Sequence, residues 1–327
     1  MSQQADTVTD AGEFADLTEP FRRELLAHCY GMLGSVDDAE DVVQETYLRA
    51  WRAYGGFEGR SSVRTWLYQI ATNTCLTARQ QRSRRALPSG LGQLDLAESD
   101  VEWLQPVPDA LVTGESDDPA AIAVSRESLR LALIASFQYL PPRQRAVLLL
   151  REVLAFPAAD VARMLGTTTV AVKSALQRAR ARLSEVAPAQ VAEPSGPAAR
   201  AVLDQYIAAF ENADAAALER LLRRDAVLEM PPSSVWFSGG EAIATAVAGL
   251  GSPGEWRMVP TAANGQPAAA AYQRDADAVF RAFGIVVLDV CAAGITRIVV
   301  FGEPGLFGRF GLPPVRADTG PQATTAT

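Results

Sequence analysis

The stretch from Val161 to Leu183, VARMLGTTTVAVKSALQRARARL, contains two short helical patterns that meet at Leu165-Gly166-Thr167. A glycine at the turn, a threonine that can cap the next helix and a basic second helix are typical of a helix-turn-helix. The apolar residues of the second helix recur at helical spacing and predict one buried stripe: Val172, Leu176, Ala179 and Leu183. Polar neighbours then face away from that stripe, toward where a DNA major groove would lie: Lys173, Ser174, Gln177 and Arg178. The stretch therefore predicts a DNA-reading helix.

The overall charge argues against a nucleic-acid partner, but the charge is unevenly distributed. The chain of 327 residues has a net charge of −8 and is 48% apolar, which is ample for a core. Arg60 to Arg85 carries six arginines and no acid, and Arg143 to Arg182 carries eight basic residues. Between them, Ala86 to Ser125 carries eight acids and no basic residue. This pattern indicates two phosphate-facing surfaces joined by an acidic tether.

Several function classes are disfavoured by composition. Cys29, Cys75 and Cys291 are far apart and form no CxxC pair, which is typical of reduced cytosolic thiols. His28 is the single histidine, so a Cys/His zinc site is not expected. No apolar run approaches ~20 residues, and the start MSQQADTVTD has no features of a signal peptide. We therefore expect a cytoplasmic chain with no membrane partner, no metal and no cofactor.

Segments rich in Pro, Gly and acidic residues separate the helical and strand-like parts of the chain. This arrangement predicts a multidomain protein with two all-α domains and a C-terminal α+β domain. The predicted segments are a disordered start (1–13), a helical domain (14–86), an acidic linker (87–119), a helix-turn-helix domain (120–187), a second linker (188–197), the α+β domain (198–314) and a disordered tail (315–327). In the α+β domain, the predicted helices are Ala198–Glu211 and Ala215–Arg223. The predicted strands are Ala226–Met230, Trp256–Pro260, Ala268–Gln273, Gly284–Val290 and Ile295–Phe301.

The acidic helix DDAEDVVQETYLRAWRAY, from Asp37 to Tyr54, has two interpretations. Acids in its first turns could complement the helix dipole. They also form a compact negative patch that could dock a basic protein surface, whereas DNA phosphates would be repelled.

The basic block RSSVRTWLYQIATNTCLTARQQRSRR, from Arg60 to Arg85, is equally open to two interpretations. Its arginines could hold phosphates while exposed aromatic rings stack on unpaired bases. Alternatively, the arginines form a solvated face and the aromatic residues lie in the core.

Together with FEGRSSVRTWLYQIATN, YLPPRQRAVLLLREV and the helix-turn-helix, the acidic helix resembles regions 2 and 4 of the extracytoplasmic-function (ECF) group of sigma-70-type RNA polymerase sigma factors. The resemblance spans about Phe14 to Val186. It implies promoter recognition by two domains, which contact core RNA polymerase at the clamp of its largest subunit and the flap of its second. The acidic tether would cross the polymerase between them.

The resemblance also implies three sets of site residues. The polymerase-binding set is Asp37, Asp38, Asp41, Gln44, Glu45 and Leu48. The set for the −10 promoter element is Phe57, Arg64, Trp66, Asn73, Arg79, Arg82, Arg84 and Arg85. The set for the −35 element is Thr168, Thr169, Lys173, Ser174, Gln177, Arg178 and Arg180.

The C-terminal domain resembles the SnoaL-like cone fold, which encloses an apolar pocket and in enzymes places a carboxylate or histidine there as general base. This domain has no histidine, and its candidate polar groups are Asp204, Glu229, Tyr272 and Asp277. We expect no catalysis in this domain. Instead, we expect the domain to fold back on the sigma part and regulate its activity. Whether it also binds a small-molecule ligand, and whether a separate anti-sigma partner exists, are questions that the sequence leaves open. The alternatives are a SnoaL-type cyclase or isomerase fused to a DNA-binding autoregulator, and an ordinary helix-turn-helix repressor.

Overall fold

The structure is a computed structural model that describes residues 12–79, 85, 87, 102–113, 127–186, 196–233 and 235–317. The predicted disordered start and nearly all of the predicted disordered tail lie outside the described residues, as does the second linker up to residue 195. The chain divides into two compact units. The first comprises Met1–Ala86 and Glu98–Ala189, and the second comprises Leu87–Ala97 and Gln190–Thr327.

The first unit begins with a helical part in residues 12–79. Residues 12–18 are helical, and they are followed by α1 (Arg22–Leu33), α2 (Val36–Tyr54) and α3 (Val63–Arg79). The α1 helix ends at Gly34, whose φ of 74° is left-handed and favours glycine. Ser35 caps α2 because its Oγ accepts a hydrogen bond from the Asp38 N–H at 3.2 Å. The bounds of α2 confirm the acidic helix predicted from Asp37 to Tyr54.

The rest of the first unit contains a short helix α4 (Asp109–Val112), then α5 (Leu131–Phe137), α6 (Pro142–Leu148), a π-helical turn (Leu149–Val153), α7 (Ala158–Met164) and α8 (Thr169–Val186). Pro142 is the first residue of α6. Proline suits this position, because the first N–H groups of a helix have no intrahelical acceptor and the one that proline lacks is not needed. The α7 and α8 helices meet at Gly166, which has a φ of 60°. They form the predicted helix-turn-helix.

Part of the predicted acidic linker is packed rather than extended. Leu104, Val107 and Val112 are buried, and the Gln105 N–H donates to the Gly34 carbonyl oxygen at 3.0 Å. A Cβ at Gly34 would lie 2.6 Å from Leu104 Cδ2. The linker therefore packs against the end of α1 at a position where only glycine leaves enough room. The linker composition did not reveal this packing, because three apolar residues among acids and prolines form no periodic pattern.

The second unit is an α+β domain with helices α9 (Gly196–Glu211), α10 (Ala215–Leu221) and α11 (Gly240–Ala248). Its strands are β1 (Leu222–Glu229), β2 (Trp236–Ser238), β3 (Trp256–Ala263), β4 (Gln266–Arg274), β5 (Phe280–Cys291), β6 (Gly294–Phe301) and β7 (Val315–Arg316). They form one sheet in the order β2-β1-β6-β5-β4-β3, with β7 paired to β5. The β1–β6 pair is parallel and the other pairs are antiparallel.

The helices of this domain cover one face of the sheet. Leu203 and Tyr206 of α9 and Ile243 of α11 share one buried cluster with Leu228 of β1 and Leu288 of β5. The two predicted helices and five predicted strands are present, most with longer bounds. The structure adds β2, α11 and β7, and β7 occupies the first two residues of the predicted disordered tail, where it pairs with β5. The predicted fold class, two all-α parts followed by a C-terminal α+β domain, is confirmed.

Candidate nucleic-acid interface

The α8 helix separates a buried stripe from an exposed polar face. Val172, Leu176 and Ala179 are buried against the rest of the helix-turn-helix. The residues predicted to contact the −35 element lie on the opposite side: Lys173, Gln177 and Arg178 are exposed, and Ser174 is half-buried. The exposed face carries two cations and an amide, groups that can bind phosphates and base edges in a major groove.

The start of α8 is fixed by Thr168, whose Oγ1 accepts a hydrogen bond from the Ala171 N–H at 3.1 Å. Thr168 therefore caps the helix, and its exposed neighbour Thr169 begins it. At the other end of the predicted set, the Arg180 guanidinium lies 2.8 Å from Glu152 Oε1 as an exposed ion pair. An exposed pair contributes at most about 1 kcal/mol, so Arg180 can exchange this partner for a phosphate.

One face of α2 carries four of the predicted polymerase-binding residues, three of them exposed and Glu45 half-buried. They recur at positions i, i+3, i+4 and i+7 of the helix: Asp41, Gln44, Glu45 and Leu48. Leu48 is 51% exposed, which is unusual for a leucine in an otherwise packed helix. Glu45 also accepts a hydrogen bond from Arg49 Nε at 2.6 Å. We call this face, Asp41 to Leu48, the acidic face; it combines negative charge with one apolar anchor.

The first two residues of the predicted polymerase-binding set are covered instead. Asp37 Oδ2 accepts a hydrogen bond from Gln105 Nε2 at 2.9 Å. Asp38 Oδ2 lies 2.7 Å from Arg85 Nη2, with both side chains at least 85% buried. Arg85 also donates to the Trp103 carbonyl oxygen at 2.8 Å. Arg85 of the predicted −10 set is thus paired directly with Asp38 of the predicted polymerase-binding set, and Arg85 also contacts the packed linker.

The aromatic residues predicted to act at the −10 element lie side by side. The Phe57 and Trp66 rings are stacked, with centroids 4.6 Å apart, and both are half-buried. Arg79 ends α3, and Arg82 and Arg84 lie outside the described residues. A half-buried, stacked ring pair suits stacking on an unpaired base.

Two further residues of the −10 set face the second helical part of the same unit (127–186). Arg64 lies over the Phe156 ring at 4.6 Å from its centroid, while its Nε donates to Glu24 Oε2 at 3.0 Å. The Asn73 Nδ2 donates to the Met164 carbonyl oxygen, at the end of α7, at 3.3 Å. The structure therefore places these two predicted −10 residues in a contact between the two helical parts.

That contact has a buried arginine at its centre. Arg145 is fully buried and donates from Nη1 to the Met32 carbonyl oxygen, and also to Gln138 Oε1 at 2.7 Å. Its Nη2 donates to the Leu140 carbonyl oxygen at 3.2 Å. Beside it, a Cβ at Gly31 would lie 3.2 Å from Leu149 Cδ1, so the two parts pack closely. The burial of Arg145 could not be predicted from the sequence, because an arginine in the run PPRQRAVLLL looks like any other member of a basic surface.

The Phe156 ring makes the other large contact. It meets Tyr68 edge-to-face at a centroid distance of 5.1 Å, and Phe156 is 4% exposed. Burial raises the pKa of the Tyr68 hydroxyl, with a further contribution from the neighbouring Glu24 carboxylate. We call the arrangement held by Arg145, Phe156 and the Asn73–Met164 hydrogen bond the closed arrangement.

The four candidate polar groups of the C-terminal domain are scattered. Asp204 is exposed and pairs with Arg200 at 3.5 Å. Glu229 is buried and pairs with Arg297 at 2.6 Å, and the Tyr272 hydroxyl donates to the Pro313 carbonyl oxygen at 3.0 Å. Asp277 is exposed. The apolar cavity of this domain is lined by other residues, among them Tyr206, Phe210, Leu228, Met230, Trp256 and Phe283.

Within the described part of the chain, no group of three or more His, Cys, Asp or Glu side chains is arranged to hold a metal ion. No helix there has both the length and the apolar character needed to cross a membrane.

Comparison with known proteins agrees with this geometry. Residues 17–85 match the family model for Sigma-70 region 2, and residues 130–183 match that for Sigma-70 region 4. The chain is 51% identical to the ECF RNA polymerase sigma factor SigG of Mycobacterium tuberculosis over 315 residues, which cover 92% of this chain and 84% of SigG. This chain belongs to the ECF RNA polymerase sigma factors.

The similarity extends to a second relative. The ECF sigma factor SigJ of Mycobacterium tuberculosis is 31% identical over 209 residues, which cover 63% of this chain and 61% of SigJ. The crystal structure of SigJ superimposes with a TM-score of 0.60 at 24% identity, covering 93% of this chain and 99% of SigJ. As a member of the family, this sigma factor binds core RNA polymerase and directs it to promoters. Region 2 is the first helical part, and region 4 is the second.

Proposed function

We propose that this sigma factor divides promoter recognition among the residues described above. The acidic face of α2 binds a basic surface of the polymerase clamp, with Leu48 as its apolar anchor. The Phe57–Trp66 pair and the arginines that follow α3 act at the −10 element. The exposed face of α8 enters the major groove of the −35 element. The observation that carries the proposal is the exposure of Lys173, Gln177 and Arg178 opposite a buried stripe.

The C-terminal domain is proposed to regulate the sigma part without catalysis. The supporting observation is the chemistry of its cavity, whose lining residues include no carboxylate and no imidazole within the described part of the domain. An isomerase or cyclase of this fold would need a general base there.

Reconstituted transcription tests the proposal. Core polymerase, a promoter library and the full chain should yield start sites that depend on the chain. The double variant Lys173→Ala, Arg178→Ala should lose most of this initiation, whereas Arg200→Ala, an exposed arginine of the C-terminal domain, should not. Equal output from the double variant and the wild type would refute the assigned −35 face. A chain that binds promoter DNA but never starts transcription would support the repressor alternative.

The proposed roles require the closed arrangement to open. The −10 and −35 elements are centred about 25 base pairs apart, which is about 85 Å along B-form DNA. In the closed arrangement, Asn73 of α3 touches Met164, which lies only a few residues before the start of α8. Both surfaces cannot reach their elements from that position. We therefore propose that region 2 and region 4 separate when the sigma factor engages polymerase and promoter.

A further inference from the structure

The C-terminal domain contains an apolar cavity of about 170 Å³ between its helices and its sheet. The α9 helix contributes Tyr206 and Phe210, and β3 contributes Trp256. Three aromatic rings are arranged edge-to-face in sequence: Phe210 meets Trp256 at a centroid distance of 5.6 Å, and Trp256 meets Phe283 at 5.0 Å. The remaining walls are mainly aliphatic side chains of α11 and the sheet.

The exposure of the lining residues shows where the cavity opens. Tyr206 is 1% exposed and Leu228 is 3% exposed, so they form its inner end. Leu250, just after α11, is 43% exposed, and Gln273 near the end of β4 is also exposed. The mouth of the cavity therefore lies between Leu250 and Gln273.

The lining favours a neutral ligand. No charged residue lines the cavity in the described part of the domain, and the Trp256 Nε1–H donates to the Leu250 carbonyl oxygen at 3.3 Å. Burial raises the pKa of the Tyr206 hydroxyl, which keeps this group uncharged at neutral pH. A charged group placed inside would lose its hydration without gaining a partner.

The volume limits the size of the ligand. Protein interiors are close-packed, and gaps of this size are few in a domain. An apolar cavity of about 150 Å³ stays dry and accommodates benzene. The cavity is below the range of about 300–1,000 Å³ that is typical of drug-sized ligands. A single aromatic ring with small substituents fits, and two fused rings with substituents do not.

We propose that this cavity binds a neutral, single-ring apolar molecule, with any polar substituent directed to the mouth beside Gln273. The proposal deepens the regulatory role proposed for this domain and rests on it for its biological meaning. Binding itself is a property of the C-terminal domain and does not depend on promoter recognition.

The test uses the full chain and 4-fluorotoluene as probe, followed by ¹⁹F NMR and by thermal unfolding. We expect saturable binding and a rise in melting temperature with probe concentration, because the ligand stabilises only the folded state. Benzoate, of similar size but charged, should produce neither effect. Failure of 4-fluorotoluene to saturate up to its solubility limit would overturn the proposal.

Two exposed apolar residues provide a matched pair of variants. Leu250→Glu places a carboxylate at the mouth and should weaken probe binding at least about tenfold. Val235→Glu makes the same kind of change at a residue that is 50% exposed and does not line the cavity, so it should bind like the wild type. Equal loss in both variants would refute the assigned mouth.

A third variant tests the interior. Ala271→Leu fills the cavity from the sheet and should abolish probe binding. If this variant does not fold, the Leu250→Glu and Val235→Glu variants still test the proposal. Both positions are exposed, so these substitutions should leave the fold intact. Polymerase-dependent transcription, measured on the same preparations, separates a failure of this proposal from a failure of the proposed sigma function.

Discussion

Replacing Phe156 with alanine should shift this sigma factor from the closed arrangement toward an open one. The Phe156 ring belongs to region 4, but its aromatic contacts are with Tyr68 and Arg64 of region 2. Removing the ring therefore takes away contacts that exist only while the two regions touch.

The size of the shift follows from these two contacts. An edge-to-face aromatic pair contributes about 0.5–1.5 kcal/mol beyond the area that it buries. A guanidinium over a ring adds about 0.5–1 kcal/mol. The closed arrangement should thus lose about 1–2.5 kcal/mol relative to the open one. Since 1.4 kcal/mol corresponds to a factor of ten, we expect the open fraction to rise about tenfold, as long as it starts small.

Energy transfer between two dyes measures this fraction. Cys29, Cys75 and Cys291 are buried, so dyes should react preferentially with cysteines introduced by Glu58→Cys in region 2 and Ser184→Cys in region 4. Transfer efficiency should fall in the Phe156→Ala variant. Promoter complexes with core polymerase should form up to about tenfold more tightly, because the apparent affinity scales with the population of the binding-competent state.

A matched control separates opening from loss of stability. Phe14 is also buried and makes edge-to-face contacts at 5.3 Å with Trp51 and Tyr54, all within the first helical part. Phe14→Ala should lower the free energy of unfolding, by about 3–5 kcal/mol, without changing the transfer efficiency of the folded protein. If Phe156→Ala, like Phe14→Ala, lowers the free energy of unfolding without changing the transfer efficiency, the Phe156 contacts do not hold the closed arrangement.

Three further predictions concern single side chains. Lys173→Ala should reduce the slope of log affinity against log salt by about one on a −35 duplex, measured by fluorescence anisotropy; an unchanged slope would argue against a phosphate contact. Arg85→Ala removes the guanidinium that pairs with Asp38 and should leave the affinity for core polymerase unchanged, because the exposed acidic face makes that contact; a changed affinity in a core-binding titration would assign Asp38 to it as well. Burial lowers the pKa of His28 from 6.5 to about 3, so the unfolded chain takes up a proton that the folded chain excludes. The free energy of unfolding should consequently fall by up to about 1.4 kcal/mol per pH unit from pH 6 to pH 4, and urea titrations of His28→Asn should lack that component.

The elements with strong periodicity could be predicted from the sequence. Of the predicted α8 stripe, Val172, Leu176 and Ala179 are buried and Leu183 is half-buried; α2 begins one residue before the predicted Asp37 and ends at the predicted Tyr54. The exposed acidic face followed from the same pattern, because helical spacing determines which residues share a side. The α11 helix was missed, since its run of alanine, valine and isoleucine after a Gly-Gly pair carries no polar face to mark a period.

Contacts between distant segments could not be predicted. Asp37 and Asp38 belong to the acidic cluster in sequence, but Gln105 and Arg85 cover them in space. Nothing local distinguishes a glutamine that hydrogen-bonds a side chain of a distant helix from one in a solvated linker. The same holds for Asn73, whose hydrogen bond to Met164 joins residues far apart in the chain.

The chemistry of the closed arrangement suits a contact that must be released. An interface of aliphatic side chains would lose its whole hydrophobic contribution on opening. Arg145 instead regains hydration when it leaves the Met32 carbonyl oxygen of region 2, which offsets much of the loss of that hydrogen bond. The Phe156 contacts stabilise the closed arrangement by a modest amount. The polar contacts add little to this, because their loss on opening is nearly offset by hydration. A basic polymerase surface that binds the acidic face and a DNA duplex that binds α8 need therefore provide only a few kcal/mol of differential affinity to separate region 2 from region 4.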